Sequence, residues 1–273
     1  MPTFTENLQV WNGWYDWPGE GDEWSAQFGG TESLWWFILY PRIHRFLPAA
    51  TILEIAPGYG RWTQFLKAQC RSMIAVDISE KCIEHCKTRF ASDNHIKYHV
   101  NDGTSLAAVR DDSIDFVFSF DSLVHAEKDV IEGYLIQLVK KLTPNGIGFF
   151  HHSNIGAYPK RLATVEFCKR LPQVIQQRLL TEKRVESLLS INASAWRATS
   201  MSGELFRKYC EGAGLKCISQ ELISWTKGKC LIDCISVFAR PESNWAVKKM
   251  PFVNDGFLES ASDATQLSQL YCR

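Results

Sequence analysis

At 273 residues, 45% hydrophobic and 22% charged, the chain has an ordinary globular composition and can bury one α/β domain with additions, or two small domains. Its 30 basic residues balance 30 acidic ones, which argues against nucleic acid as a partner, because neutralising a phosphate backbone leaves a basic excess. No apolar run approaches the roughly 18 residues that span a bilayer, and Met1-Pro-Thr-Phe-Thr-Glu6 lacks the basic start and apolar core of an export signal, so a cytoplasmic protein with no membrane partner is expected.

The first 36 residues carry six of the ten tryptophans (Trp11, Trp14, Trp17, Trp24, Trp35 and Trp36), six acids and no Lys or Arg. From Thr51 the pattern alternates short β-type runs with amphipathic helices. Thr51–Ala56 is predicted as a strand, 58–60 as a tight loop, and 61–68 as a helix with Trp62, Phe65 and Leu66 at helical spacing. A strand over 73–76 ends at Asp77, and Ser79 is an N-cap for a helix over 80–90. Strands follow over 96–100 and 114–120, the latter apolar enough to be buried on both faces. A helix over 130–142 ends in the turn Thr143-Pro-Asn-Gly146, which feeds a strand over 147–150.

The rhythm then breaks. Residues 155–199 read as a mostly helical insertion with no strand, and a helix over 202–213 precedes two strands, 215–225 and 232–240, expected as an antiparallel pair at the sheet edge. The strands total seven in a doubly wound, mostly parallel α/β sheet. The tail from Pro241 is polar and weakly patterned, and is expected to pack loosely or over a neighbouring subunit. Nine scattered cysteines lack zinc-knuckle spacing and read as free thiols in a reducing compartment.

The chemistry concentrates in Glu54-Ile-Ala-Pro-Gly-Tyr-Gly60. Glycines at a strand-to-helix turn let the backbone approach a nucleotide-type ligand. A nicotinamide fingerprint would place a third glycine where Thr63 stands, and an acid inside the first strand suits that cofactor poorly. Asp77, 17 residues after Gly60, can accept both ribose hydroxyls of an adenosine. Asn101-Asp102-Gly103 follows the third strand, where Asp102 could accept from an adenine amino group. Three acids at the carboxyl ends of three successive strands, in register with the glycine loop, point to one ligand.

These residues resemble the successive motifs of class I S-adenosylmethionine (SAM)-dependent methyltransferases, a Rossmann-like fold, over roughly 51–240. Glu54, Gly58 and Gly60 match the first-strand motif, with Ala56 in place of its first glycine, an exchange expected to be mild because Ala tolerates negative φ. Asp77 matches the ribose acid and Asp102 the adenine-side acid. Ile114-Asp-Phe-Val-Phe-Ser-Phe-Asp-Ser-Leu-Val-His125 matches the stretch beneath the methyl group, and Ile78, Gly103 and Phe120 join the implied cofactor contacts. The resemblance implies SAM as methyl donor and S-adenosylhomocysteine as product. Trp24-Ser-Ala-Gln-Phe-Gly-Gly30, His151-His-Ser-Asn154 and Cys217-Ile-Ser-Gln-Glu221 are similar to segments of bacterial enzymes that methylate hydroxyls of small molecules or sugars.

The implied organisation is a leader over 1–48 capping the cofactor site, a methyltransferase domain over 49–240 with its insertion at about 155–200, and the tail over 241–273. Methylating a hydroxyl requires a proton acceptor near the attacking oxygen. His152 and His125 are the first candidates, followed by Asp121 and His151. His151 and His152, adjacent at a strand end, should point to opposite faces. Asp121, His152 and Asn154 holding magnesium is the weaker alternative. Tyr15 and Trp24 are candidates to face the sulfonium, since aromatic faces attract cations, although packing is the commoner fate of such rings. The basic residues of the insertion either grip a phosphorylated or nucleotide-linked small-molecule substrate or form a solvated helix face. An exposed aromatic leader also offers a contact for a homo-oligomer. N-methylation of a small amine and a ligand-binding protein without chemistry remain as alternatives to O-methylation.

Overall fold

The computed structural model describes residues 4–172, 175, 196–224 and 230–271. One sheet organises it, with strands β1 (Ala49–Ile55), β2 (Cys70–Asp77), β3 (Ile96–Val100), β4 (Ile114–Ser119), β5 (Leu142–Ser153), β6 (Lys216–Ile223), β7 (Asp233–Ala239) and β8 (Phe252–Asn254). Their order is β3-β2-β1-β4-β5-β7-β6-β8. Strands β1 to β5 pair in parallel, β7 runs antiparallel to both β5 and β6, and β8 pairs in parallel with β6.

The expected seven strands are therefore eight in a mixed sheet, and the β6/β7 pair is not the edge. The eighth strand comes from the tail, and its three residues, Phe252–Asn254, are too few to show a strand periodicity. Nor is that tail loose. Its helix Phe257–Tyr271 packs on the leader, with Phe257 and Phe28 edge to face at 6.1 Å. Ser33 Oγ donates to the Ala264 carbonyl at 3.0 Å, and Asn254 Nδ2 donates to Glu221 Oε1 at 2.7 Å. The predicted Thr143–Gly146 turn lies inside β5, where the ladder jumps from the Ile114–Leu142 pair to Phe116–Ile147. That irregularity absorbs the Pro and Gly without ending the strand.

The period-two alternation of the central strands divides two hydrophobic layers. Phe116, Phe118 and Phe149 face the leader, packing with Trp35, Ile38 and Phe257. Val117 and Phe150 face the helices Lys128–Lys141 and Gly203–Gly212, meeting Leu135, Leu138 and Phe206. Strand β1 buries Ile52, Leu53 and Ile55 against the two layers, as expected for a strand covered on both sides. The expected N-caps form: Ser79 Oγ accepts from the Cys82 amide and Ser202 Oγ from the Leu205 amide. The eight described cysteines are free thiols. Among the described residues, no helix is long and apolar enough to cross a membrane.

Candidate active site

A cavity of about 680 Å³ opens at the carboxyl ends of β1, β2 and β4, a volume within the roughly 300–1,000 Å³ typical of small-molecule sites. One end is walled by Ala56, Pro57, Gly58, Asp77, Ile78 and Gly103, with Asp129 and Tyr134 from the helix after β4. The other end is walled by Arg61, Asp121, His125, Trp196 and Arg197. Over both lie rings of the leader: Trp11, Tyr15, Trp17 and Trp24.

The glycine loop takes the shape its composition permits. Gly58 and Gly60 have φ of 58° and 87°, and so does Ala56, at 58°. The expectation that Ala56 keeps negative φ is thus wrong. The turn demands left-handed backbone at this position, and the alanine accepts the strain. Trp17 (51°) and Asp121 (62°) are also left-handed and line the same cavity. Non-glycine residues in this region cost roughly 1–3 kcal/mol each and gather at functional sites.

Asp77 Oδ2 accepts from the Gly58 amide at 3.1 Å and Oδ1 from the Ser79 amide at 2.8 Å. Burial pushes its carboxyl up to about 6, against the opposing pull of those amides. Each oxygen keeps a lone pair for a ligand hydroxyl. Glu54 stands behind the loop rather than in the cavity, its Oε2 accepting from Thr63 Oγ1 at 2.6 Å. Its Oε1 is buried with no hydrogen-bond partner among the described residues, and burial pushes the carboxyl up to about 8. Gly60 also lies outside the lining. A Cβ there would come within 2.5 Å of the Phe90 ring, so its role is close approach of the helix Glu80–Arg89. Asp102 is exposed and turned away, Oδ1 accepting from the amides of Thr104 and Ser105; these amides hold its carboxyl below the usual range. Gly103 and Asp129 line the cavity instead.

At the other end Asp121 meets Arg61 Nη2 at 2.8 Å and Arg197 Nη2 at 3.8 Å. Burial pushes its carboxyl up, but the two guanidiniums outweigh it and hold it below the ordinary value. His125 Nδ1 donates to the Trp196 carbonyl, which leaves Nε2 with the lone pair. Burial, with Arg197 adding, pushes its pKa down to about 4.

The paired histidines do point to opposite faces, yet neither lines the cavity. His152 is fully buried, with Nδ1 donating to the Ser153 carbonyl at 2.9 Å and Nε2 accepting from Ser236 Oγ at 2.8 Å. It stacks on Phe206 at 4.5 Å on the far side of the sheet. His151, on the near face, stacks on Phe120 at 4.4 Å and sits directly behind Asp121. Phe120 is thereby a packing residue whose carbonyl accepts from Trp62 Nε1 at 3.2 Å. The magnesium set does not converge, because Asn154 is also committed, its Nδ2 to the Leu231 carbonyl and its Oδ1 to the Gly203 amide. Among the described residues no group of three His, Cys, Asp or Glu is placed to hold a metal ion.

The leader docks through both polar and aromatic contacts. Tyr15 Oη donates to Glu23 Oε1 at 2.5 Å, and its ring lies 5.3 Å from Trp24. Ser79 Oγ donates to Asn12 Oδ1 at 2.6 Å, and Lys81 Nζ to the Tyr15 carbonyl at 3.1 Å. Trp35 is core, whereas Trp14 and Trp36 are exposed. Arg61, Trp11, Trp17, Tyr134, Trp196 and Arg197 were not singled out as site residues in the sequence. Arg61 alone carried a signal, as the residue following the second glycine of the loop. Of the insertion's basic residues, Arg178, Lys183 and Arg184 fall outside the described residues.

Residues 52–146 match the family described as "Methyltransferase domain". The match spans about a third of the chain and, with the fold, supports a methyltransferase domain over those residues. Among solved structures, the chain is similar to a Pyrococcus horikoshii protein (TM-score 0.54, 16% identity, covering 85% of this chain and 95% of that one). It is also similar to the N-methyltransferase NodS from Bradyrhizobium japonicum in complex with S-adenosylhomocysteine (0.52, 14%, 88% and 100%). A third is a Leishmania major SAM-dependent methyltransferase (0.54, 11%, 86% and 82%). No curated protein matches the chain in sequence.

Proposed function

We propose that the protein transfers the methyl group of SAM to a hydroxyl of a small polar acceptor bound between His125, Asp121 and the leader. The observation that carries this reading is that one cavity is lined both by Asp77 with the glycine loop and by Asp121 with His125. At one end, Asp77 accepts the ribose hydroxyls, Gly58 lets the chain approach closely, and Ile78 and Gly103 flank the base. At the other, His125 offers an acceptor nitrogen beside a fixed carboxylate. SAM supplies an electrophilic methyl on a sulfonium, and the rings of Tyr15 and Trp24 present the negative faces that favour such a cation. Leader and domain together exclude water and align donor with acceptor. His125 Nε2 takes the acceptor's proton as the oxygen attacks, while its Nδ1–H stays on the Trp196 carbonyl.

A base with a pKa near 4 is unprotonated at neutral pH but exerts little pull, and this observation favours a second reading, an amine acceptor that needs no strong base. The two separate experimentally. Radiolabelled SAM is incubated with pools of small alcohols and of small amines, using wild type and His125→Ala. For a hydroxyl acceptor the variant should lose about 100-fold in kcat, and wild-type kcat should fall only as pH drops through about 4. Transfer to an amine with His125→Ala at wild-type rate contradicts the hydroxyl reading.

A further inference from the structure

Asp121 is a cavity residue with left-handed backbone, and part of what holds it lies outside the cavity lining. Its left-handed φ of 62° persists only if surrounding contacts fix it. Its carboxylate is held by Arg61 and Arg197. Its amide donates to His151 Nδ1 at 3.1 Å, so the His151 proton sits on Nε2. That nitrogen faces Asp233 Oδ2 at 3.3 Å. Asp233 accepts from Arg197 Nε at 2.9 Å and from Nη2 at 3.0 Å, and Arg197 closes the ring back to Asp121.

We infer that His151 and Asp233 are positioning residues: through the Asp121 amide and the Arg197 guanidinium they fix the Asp121 carboxylate at the acceptor end of the cavity. Both are fully buried and outside the cavity lining, so they act through Asp121 and Arg197 rather than on a ligand. The ring joins the ends of β4 and β5, the start of β7 and the segment after the insertion. A histidine suits the central place because its flat face packs on Phe120 while one ring nitrogen accepts from the Asp121 amide and the other lies 3.3 Å from the Asp233 carboxylate. Glutamine also offers an acceptor and a donor, and phenylalanine offers neither.

The inference rests on the reading that Asp121 faces the acceptor, and its test compares His151→Gln with His151→Phe. SAM affinity is measured by calorimetry, and kcat by radiolabelled transfer to the acceptor that the pools yield. His151→Phe should lower kcat by about 10–100-fold, the cost of a roughly ångström-scale misplacement, with SAM affinity unchanged, and His151→Gln should restore most of it. A Phe variant at wild-type kcat, or a Gln variant as slow as the Phe variant, overturns the inference. Should the Phe variant not fold, long-range proton–nitrogen spectra of histidine-labelled wild type still decide. The resonance lost in His151→Gln should carry its proton on Nε2, and a proton on Nδ1 overturns the inference. Failure of the functional reading looks different, as wild type giving no heat with SAM, and leaves the spectrum untouched.

Discussion

The ring of Trp17 occupies the space a side chain on residue 58 would take: a Cβ on Gly58 would come within 2.7 Å of it. The same ring stacks on Tyr59 at 4.5 Å and 8°, and Tyr59 stacks on His85 at 3.8 Å. Leader and glycine loop are therefore fitted to each other. Trp17→Ala should weaken SAM binding by about 3–10-fold, the worth of one aromatic pair. Gly58→Ala should weaken it further, since the new methyl strains the turn and displaces the ring. The two losses should be less than additive in the double variant, and calorimetric titration of the three variants checks this.

Ala56 at φ 58° gives a prediction of opposite sign. Ala56→Gly removes left-handed strain but adds unfolded-state entropy, for a net gain of about 0.5–1 kcal/mol. In a chain of this size the melting temperature should rise by about 1–4 °C. An unchanged or lowered melting temperature would show that the neighbouring contacts accommodate the alanine without strain.

Asp77 links cofactor affinity to pH. Its carboxyl is raised to about 6, and only the ionised form accepts from two hydroxyls at once. SAM affinity should therefore fall as pH drops below about 6. Asp77→Asn should bind SAM about 10–100-fold more weakly, the value of hydrogen bonds to a charged group, and should lose the dependence. The check is calorimetry between pH 5 and pH 8.

Glu54 links stability to pH. Its folded-state carboxyl is raised from 4.5 to about 8, so the folded chain holds this proton more tightly than the unfolded chain does. The resulting stabilisation is full below the unfolded value and is lost as pH rises through about 8. Across that window wild type should lose up to about 1.4 kcal/mol per pH unit relative to Glu54→Gln. Urea unfolding of both proteins at several pH values measures the difference, and parallel curves would contradict it.

The β/α rhythm, the glycine loop and Asp77 were legible because each is local: a strand, its turn and the first residue beyond it. What was not legible depends on packing across the sheet. Adjacent His151 and His152 were read correctly as opposed, but β5 lies inside the sheet, with Phe206 over one face and Phe120 and Asp233 against the other. No sequence pattern distinguishes such a strand end from an open one. Asp102 was assigned to the adenine side from its place in the chain, whereas the backbone amides that follow it compete for its oxygens. Arg197 could not be foreseen, since its partners Asp121 and Asp233 are distant in sequence.

The central claim is that this one cavity, roofed by the leader, binds SAM through Asp77 and the glycine loop. Calorimetric titration of the full chain with SAM at pH 7.5 tests it most directly. The account predicts saturable binding of one SAM per chain, weakened in Asp77→Asn and in Trp17→Ala. No heat of binding at millimolar SAM, or binding that both substitutions leave unchanged, would contradict it.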